Sequence, residues 1–419
     1  MHVRGGVAMT QVQLWQQFRG ASPSHKVWLG SLFFFSVAVF TSKAGYSSFG
    51  LLLIFGSFFA PWRNAWITEK KVLAIAALYP IAIFLSFFSV GGLFSVWTTF
   101  SAWPWPLLVL PATVVFKDRK LQPYVLAGAA AGFSLAIVEA MRKILLEQWA
   151  TFIPSVSRID SFWDLGRWGV LLSCVTVALY VYATATDTEV SKKRIYWGAW
   201  GVALVFLVLA GQRAPWVAAS IGMLLVSLTS RRRFIAGLGV AGVIAVLMLS
   251  LPGLRHRVES VGAVHTQGSI VTSTDGSNAA RLHMWQVALD FFREQAWFGV
   301  GFKNTETPLR AFLERQSTQY RGDHLVGEFS INDQHSSYLS VLVERGVLFS
   351  LIFGGLIVYI LLSSIKNLMH NPSAALLTSY AVCMVNFVIY VFYTSIQSFE
   401  SLPLFLGLAY IALRREPTR

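Results

Sequence analysis

Residues 373–392, SAALLTSYAVCMVNFVIYVF, decide the fold class, because this run contains no Asp, Glu, Lys or Arg. A helix of about 20 apolar residues is long enough to cross the ~30 Å hydrocarbon layer of a membrane. Similar apolar runs recur along the whole chain of 419 residues. The sequence therefore predicts an all-α polytopic membrane protein with about 12 transmembrane helices. The predicted spans are 27–42, 46–62, 72–90, 93–116, 122–141, 167–185, 195–211, 214–230, 234–251, 338–364, 373–392 and 397–413.

The composition supports this fold class and excludes several others. Hydrophobic residues make up 55% of the chain and charged residues only 13%, whereas soluble domains average about 25% charged residues. An intrinsically disordered chain, a collagen and a disulfide-rich secreted protein are excluded on the same grounds. Both cysteines, Cys174 and Cys383, lie inside apolar runs, so we interpret them as packing residues and expect no cysteine-based metal site.

Two features refine the spans. Residues 1–26 are mixed polar, so the first apolar run is interpreted as a retained span and not as a cleavable signal. The fourth span contains Pro104, Pro106 and Pro111, and we expect it to be kinked because proline interrupts the helical hydrogen-bond ladder.

The distribution of basic residues predicts the orientation. Cytoplasmic loops are enriched in Lys and Arg, and twelve spans with both termini inside place most short basic clusters on the cytoplasmic side. The net charge of +14 is then a consequence of topology, and we expect no nucleic-acid partner. The inside basic residues are Arg4, Arg19, Lys26, Arg63, Lys70, Lys71, Lys117, Arg119, Lys120, Lys192, Lys193, Arg194, Arg231, Arg232, Arg233, Lys366, Arg414, Arg415 and Arg419.

Two longer segments are left outside the membrane. The chain divides into residues 1–251 with nine spans and a short outside segment at 142–166, an outside loop domain at 252–337, and residues 338–419 with three spans and an inside tail. Loops as long as 252–337 are usually functional in compact proteins.

The long outside segment has helical periodicity of its own. Apolar positions in residues 281–298 predict a helix that Ser277 or Asn278 caps and Gly299 ends. A second helix is expected from Thr307 to Gln316, with Pro308 at its first position. The Gly-, Thr- and Ser-rich residues 262–278 predict a mobile loop.

Three polar residues stand at predicted helix starts on the outer face. Arg213 precedes the eighth span, Arg281 heads the loop helix, and His335 precedes the tenth span, which Asn332 or Asp333 can cap. A helix N-terminus attracts anions, and an arginine adds a planar fork that matches phosphate oxygens. The same potential keeps a nearby imidazole neutral and able to act as a base. These residues suit attack by a hydroxyl on a phosphate-activated carbon.

Simpler interpretations stay open for each residue taken alone. An arginine at a membrane edge often anchors lipid headgroups, and a histidine before a helix often caps it. Arg142, Arg158 and Arg167 are weaker candidates of the same kind, and Glu344 with Arg345 is interpreted as a local ion pair near the membrane edge.

Several chemical classes lack the residues they need. Hardly any ionisable residue falls within a span, which argues against an ion-driven transporter. Neither an Asp-x-Asp pair nor HExxH, Walker or GxSxG motifs occur, so we expect no metal site and no zinc or serine hydrolase.

Three short segments together resemble the O-antigen ligase/polymerase superfamily of bacterial envelope glycosyltransferases. They are GQRAPW at 211–216, RLHMW at 281–285 running to FGVG at 298–301, and HSSYL at 335–339 followed by ERG at 344–346. The family pattern has an arginine before a span, an arginine heading a loop helix that ends in a Gly-Val-Gly-like turn, and a histidine opening the next span. Ser336 stands where the superfamily usually has Asn after the histidine.

The resemblance implies a C-type glycosyltransferase-like fold in the inner membrane of a Gram-negative bacterium, with a periplasmic active site. It implies transfer of O-antigen polysaccharide from undecaprenyl diphosphate to a sugar hydroxyl of lipid A–core, with inversion and without a metal or cofactor. His335 would be the general base, and Arg213 and Arg281 would bind the diphosphate. Membrane lipids are the other expected partners.

Other activities remain open on the same residues. A polymerase would use a second lipid-linked glycan as acceptor, and a protein O-oligosaccharyltransferase would use Ser or Thr of a protein. One large outside loop favours the ligase, since polymerases more often have two. A lipid-linked-sugar flippase is the alternative from another class.

Overall fold

The computed structural model describes residues 16, 18–59, 62–102, 104–147, 158–185, 189–250, 264–267, 270–273, 276–316, 334–368, 373–392 and 401–414. These residues form α-helices joined by turns and irregular segments, with one short hairpin, a 3₁₀ turn at Trp105–Leu108 and a π-helical turn at Lys143–Glu147. The α-helices are α1 (Pro23–Thr41), α2 (Lys43–Gly56), α3 (Arg63–Trp66), α4 (Lys70–Ala76), α5 (Leu78–Ser86), α6 (Gly92–Ala102), α7 (Val109–Lys117), α8 (Gln122–Arg142), α9 (Leu165–Thr184), α10 (Val190–Leu209), α11 (Arg213–Ser227), α12 (Arg231–Ser250), α13 (Gly276–Glu294), α14 (Glu306–Arg315), α15 (Ser337–Leu368), α16 (Ala374–Val391) and α17 (Leu402–Leu413). The strands are β1 (Val264–Gln267) and β2 (Ile270–Ser273).

Every predicted span overlaps a helix within the described residues, and the helical membrane fold is confirmed in that coarse form. Within the described part of the chain, six segments are both long and apolar enough to cross a membrane, and α11 and α17 are shorter apolar helices. The count of twelve spans stays a prediction. The six segments are Pro23–Thr41, Gly92–Lys117, Gln122–Leu146, Leu165–Thr184, Ser337–Ser363 and Ala374–Val391.

The predicted break in the fourth span is present. Pro104 and Pro106 lie where α6 gives way to the 3₁₀ turn and then α7. Pro111 lies within the first turn of α7, where a proline needs no intrahelical donor.

Parts of the long outside segment differ from expectation. Residues 264–267 pair antiparallel with 270–273, so the prediction of a mobile loop over 262–278 was wrong at these positions. α13 begins at Gly276 and ends at Glu294, so Ser277 and Asn278 lie inside its first turn and do not cap it. Gly299, with φ 68°, follows the helix end by five residues.

The second predicted helix is present with slightly different limits. α14 spans Glu306–Arg315 and has Pro308 at its third position. This position is still within the first turn, where the missing N–H of proline removes no hydrogen bond.

Contacts between helices define one end of the bundle, which we call the site end. The Ile159 N–H donates to Leu209 O at 3.0 Å, which joins the segment before α9 to the end of α10. The Trp163 indole donates to Val39 O at 2.9 Å near the end of α1. α11 begins next to the end of α10 and runs parallel to α9, because Gly169 lies against Pro215 and Tyr180 bonds Ser227.

The opposite end, which we call the basic end, is joined by a second set of contacts. Arg414 Nη1 lies 3.3 Å from Ser373 Oγ, so α16 begins where α17 ends. The rings of Phe116 and Tyr410 are 5.1 Å apart, which places the end of α7 there too. Since α16 starts at the basic end, its last residues reach the site end.

Two apolar clusters hold the described residues together. The larger one fills the helix bundle. The smaller one combines α13 and α14 with Val343 of α15, and Leu339 packs against it. The first turns of α15 therefore belong to the packing of the outside helices, and Gly346, with φ 73° and ψ 177°, breaks the helix just beyond them.

Candidate active site

His335 stands two residues before α15, immediately ahead of a capped helix start. Ser336 Oγ accepts from Leu339 N at 3.5 Å, and Ser340 N donates to Ser336 O at 2.8 Å. Ser336 is therefore the N-cap, while the expected caps Asn332 and Asp333 lie outside the described residues. Ser and Asn are both favoured at this position, so Ser336 can do the capping that Asn would do.

The backbone of His335 is in a rarely occupied conformation. Its φ of 44° lies in the left-handed region, which non-glycine residues adopt uncommonly. Such a conformation costs about 1–3 kcal/mol and persists only where the surroundings hold it. The sequence offered no signal for this feature.

The residue before the histidine is held at both its backbone and its side chain. Gln334 is only 4% exposed. Its carbonyl oxygen accepts from the Trp285 indole N–H at 2.9 Å, and its Oε1 accepts from Ser340 Oγ at 2.8 Å. These two contacts fix the position from which the His335 side chain departs.

Arg281 lies one turn before Trp285 on α13, so the two side chains are neighbours on one face of the helix. The Trp285 bond to Gln334 brings this face to the start of α15. Farther along, Val347 N donates to Ala296 O at 2.8 Å, which holds the segment after α13 against the α15 break. Arg281 and His335 therefore share one neighbourhood, and both are half-buried.

Arg213 is the first residue of α11, at the site end. Gly222 of α11 packs on Val385 of α16. Arg213 is nine residues before Gly222 on α11 and therefore lies about 13 Å from it toward the site end. Phe392 is seven residues after Val385 and lies about 10 Å from it in the same direction. The two residues are thus at nearly the same height on adjacent helices.

The Phe392 ring links the end of α16 to α13. Its centroid lies 6.3 Å from that of Trp285, which in turn bonds the residue before His335. Gln212, the N-cap of α11, makes no side-chain capping hydrogen bond, and Pro215 has no N–H to offer. A helix start that carries an arginine is an arrangement that suits an anion.

The weaker candidates lie at the same end of the bundle, and each is either paired with a carboxylate or exposed. Arg142 donates twice to Glu139, at 2.7 and 2.9 Å. Arg167 bonds Asp164 at 2.6 Å, and Arg158 is exposed. Arg142 and Arg167 already neutralise a carboxylate, which leaves them less suited to hold a diphosphate.

A sequence model of the family described as O-Antigen ligase matches residues 198–354. This match supports membership of the O-antigen ligase/polymerase superfamily. The matched region runs from α10 into α15 and contains Arg213, Arg281 and His335. Members of this superfamily are membrane enzymes of glycan transfer that use lipid-linked glycans. No curated protein matches the chain.

The superfamily region also contains a buried pair that the sequence alone did not explain. Arg345 is buried, its Cζ lies 4.7 Å from the Phe302 ring and 5.2 Å from the Phe349 ring, and Nη1 lies 3.3 Å from Thr99 Oγ1. Glu344 Oε1 accepts from the backbone N–H of Lys303 at 3.3 Å. The pair thus contacts the segment after α13 and α6, which the interpretation as a local ion pair did not include.

The same segment is joined to both neighbours by main-chain bonds. Val300 and Gly301 donate to Val343 and Glu344 at 2.9 and 2.8 Å, and the Gly91 N–H donates to Val300 O at 3.0 Å. The segment between α13 and α14 is therefore fixed to α15 and to the turn between α5 and α6.

No three His, Cys, Asp or Glu side chains in the described ranges are close enough to hold a metal ion. Metal-independent chemistry stays an expectation.

Proposed function

We propose that this chain transfers O-antigen polysaccharide from undecaprenyl diphosphate to a sugar hydroxyl of lipid A–core at the periplasmic face of the inner membrane. The observation that carries the proposal is the 2.9 Å hydrogen bond from the Trp285 indole to Gln334 O. This bond brings the helix bearing Arg281 to the residue preceding His335. Membership of the O-antigen ligase/polymerase superfamily supports the same class of donor.

In this proposal His335 accepts the proton of the acceptor hydroxyl. The hydroxyl oxygen attacks the anomeric carbon, the bond from that carbon to the phosphate oxygen breaks, and the configuration inverts. The electron pair of the broken bond leaves with undecaprenyl diphosphate. General-base catalysis of this kind typically contributes ~10²–10⁴-fold.

Arg213 and Arg281 bind the departing diphosphate. Charge grows on its oxygens as the sugar–oxygen bond breaks, and fixed donors aimed at that charge stabilise the transition state more than the ground state. The guanidinium fork matches phosphate oxygens, and Arg213 stands at a helix start, which attracts anions. No metal is required in this scheme.

The test is transfer by purified protein in lipid nanodiscs, with a lipid-linked glycan donor and with EDTA present. Lipid A–core, a second lipid-linked glycan and a Ser/Thr-rich pilin peptide are offered as separate acceptors. Product on lipid A–core supports the ligase, whereas product only on the glycan or the peptide identifies the polymerase or the protein transferase. Movement of donor across the bilayer without product would identify a flippase and overturn the proposal.

The role of His335 as general base is tested by replacing it with alanine. His335→Ala is expected to abolish transfer while the protein elutes as a folded monodisperse species. The control is His25→Ala at the basic end, where His25 contacts Trp62, and it is expected to retain wild-type activity. Normal transfer by the His335→Ala protein would refute the role of His335.

A further inference from the structure

We propose that Trp285 is a positioning residue that holds His335 in its reactive orientation, an inference that rests on the function proposed above. Among the described residues, the indole N–H donates to the carbonyl of Gln334, at 2.9 Å. It acts on the histidine through the backbone that joins the two residues. Trp285 itself contacts neither reacting group in this scheme.

The backbone conformation of His335 requires neighbouring contacts to stabilise it. At φ 44°, His335 lies outside the conformations that a β-carbon favours, so a free segment would relax toward negative φ. Relaxation would rotate the Cα–Cβ bond and move the imidazole away from its present direction. Contacts on both sides of His335 oppose that rotation.

Those contacts form a clamp, which consists of Trp285, Gln334, Ser336 and Ser340. Trp285 fixes the Gln334 carbonyl, and Ser340 fixes the Gln334 side chain at 2.8 Å. On the other side, Ser336 is fixed by its N-cap role and by Ser340 N. Gln334, Ser336 and Ser340 are all buried, so water does not replace a lost partner there.

Trp285 also fixes the position of Arg281 relative to His335. Arg281 lies one turn before it on α13, so docking of the indole on Gln334 sets the arginine and the histidine together. The indole has a single N–H donor and no acceptor. The hydrogen bond between Trp285 and Gln334 therefore connects α13 to the residue before His335. Through the clamp, the packing of α13 against the start of α15 therefore fixes the orientation of His335.

The experiment replaces the donor and keeps the ring. Trp285→Phe retains an aromatic side chain against Phe392, and 3-benzothienylalanine at position 285 substitutes sulfur for the N–H with almost no change of shape. Both proteins are expected to lose about 10- to 100-fold in kcat, since small misplacements of a reacting group have effects of this size. The KM for the lipid-linked donor is expected to stay within about twofold, because Arg213 and Arg281 remain.

Ser340 supplies a conservative rescue. Ser340→Ala removes the second contact to Gln334 and is expected to lower kcat, while Ser340→Thr keeps the hydroxyl and restores it. The double variant Trp285→Phe with Ser340→Ala is expected to lose less than the product of the two single losses, since both act through one residue. Trp297→Phe, an exposed tryptophan beyond the same helix, is the control and should match the wild type.

The outcomes separate this inference from the function on which it rests. Wild-type kcat in the 3-benzothienylalanine protein would overturn the role of Trp285, as would a loss confined to KM or to the yield of folded protein. Activity in His335→Ala would instead overturn the proposed base. An inactive His335→Ala protein beside a fully active Trp285 variant would reject the clamp alone.

Discussion

At the scale of single residues, six cationic or basic candidates share one end of the bundle but differ in their partners. Arg142 and Arg167 pair with carboxylates three residues before them, Glu139 and Asp164. This i,i+3 spacing is typical of helix-surface pairs and is visible in the sequence. The sequence spacing alone therefore predicts that these two arginines are weaker candidates. The contact of Trp285 with Gln334 joins residues 49 positions apart, and no local spacing could predict it.

Replacing Arg281 with Lys should cause a severe loss of transfer, of about 100-fold or more, because lysine keeps the charge and lacks the planar two-donor fork. The measurement is the rate of product formation at saturating acceptor. Arg293→Lys on the same helix is the matched control, since Arg293 is 76% exposed and bonds Asp290. Full activity of Arg281→Lys would show that Arg281 is only a membrane-edge anchor.

Replacing Arg142 or Arg167 with Gln should leave the transfer rate close to that of the wild type. Each loses a partly exposed ion pair, and a pair of this kind contributes ~0–1 kcal/mol to stability. Thermal unfolding in detergent and the same transfer assay report the two effects. A large fall in transfer without a fall in Tm would move that arginine into the diphosphate site.

At the scale of elements, periodicity predicts which segments are helical better than it predicts where they end. α13 was expected at 281–298 and lies at Gly276–Glu294, without the expected caps. The hairpin of four-residue strands was missed, because so short a strand does not reveal its alternation within a window of mixed Thr and Ser. The break in α15 at Gly346 was also not predicted, although this glycine directly follows Glu344 and Arg345 in the sequence.

Gly346→Ala should destabilise the protein and lower its transfer rate. Gly346 has φ 73° and its position leaves no room for a β-carbon, which would lie 2.2 Å from Trp297 O. Backbone strain of this kind costs about 1–3 kcal/mol, and the segment after α13 would be displaced from α15. Tm is the measurement. Gly355→Ala in the same helix faces open space and should leave Tm unchanged, and equal Tm values for both variants would contradict the role of the break.

At the scale of the whole molecule, the two ends of the bundle differ in chemistry. The helix starts and ends that carry Arg213, His335 and the weaker arginines lie at the site end. The short basic clusters next to α7, α10, α12 and α17 lie at the basic end, as the alternation of spans and loops predicts. Charge patterning could therefore predict which loops share a side. It could not predict that α1 and α8 pack against each other with Gly128 and Gly132 on the α1 backbone, since such a contact depends on packing between distant segments.

If the site end faces the periplasm, a cysteine there should react with a membrane-impermeant maleimide added to intact cells. The background is a Cys174→Ala, Cys383→Ala protein, in which two buried thiols have been removed. Arg310→Cys lies on the exposed side of α14, and Lys192→Cys lies at the start of α10 at the basic end. Arg310→Cys should be labelled in intact cells, whereas Lys192→Cys should be labelled only after the inner membrane is permeabilised. Because one inserted or deleted span between the two positions would put both on the same side, equal labelling would refute the predicted topology, and reversed labelling would place the proposed diphosphate site in the cytoplasm.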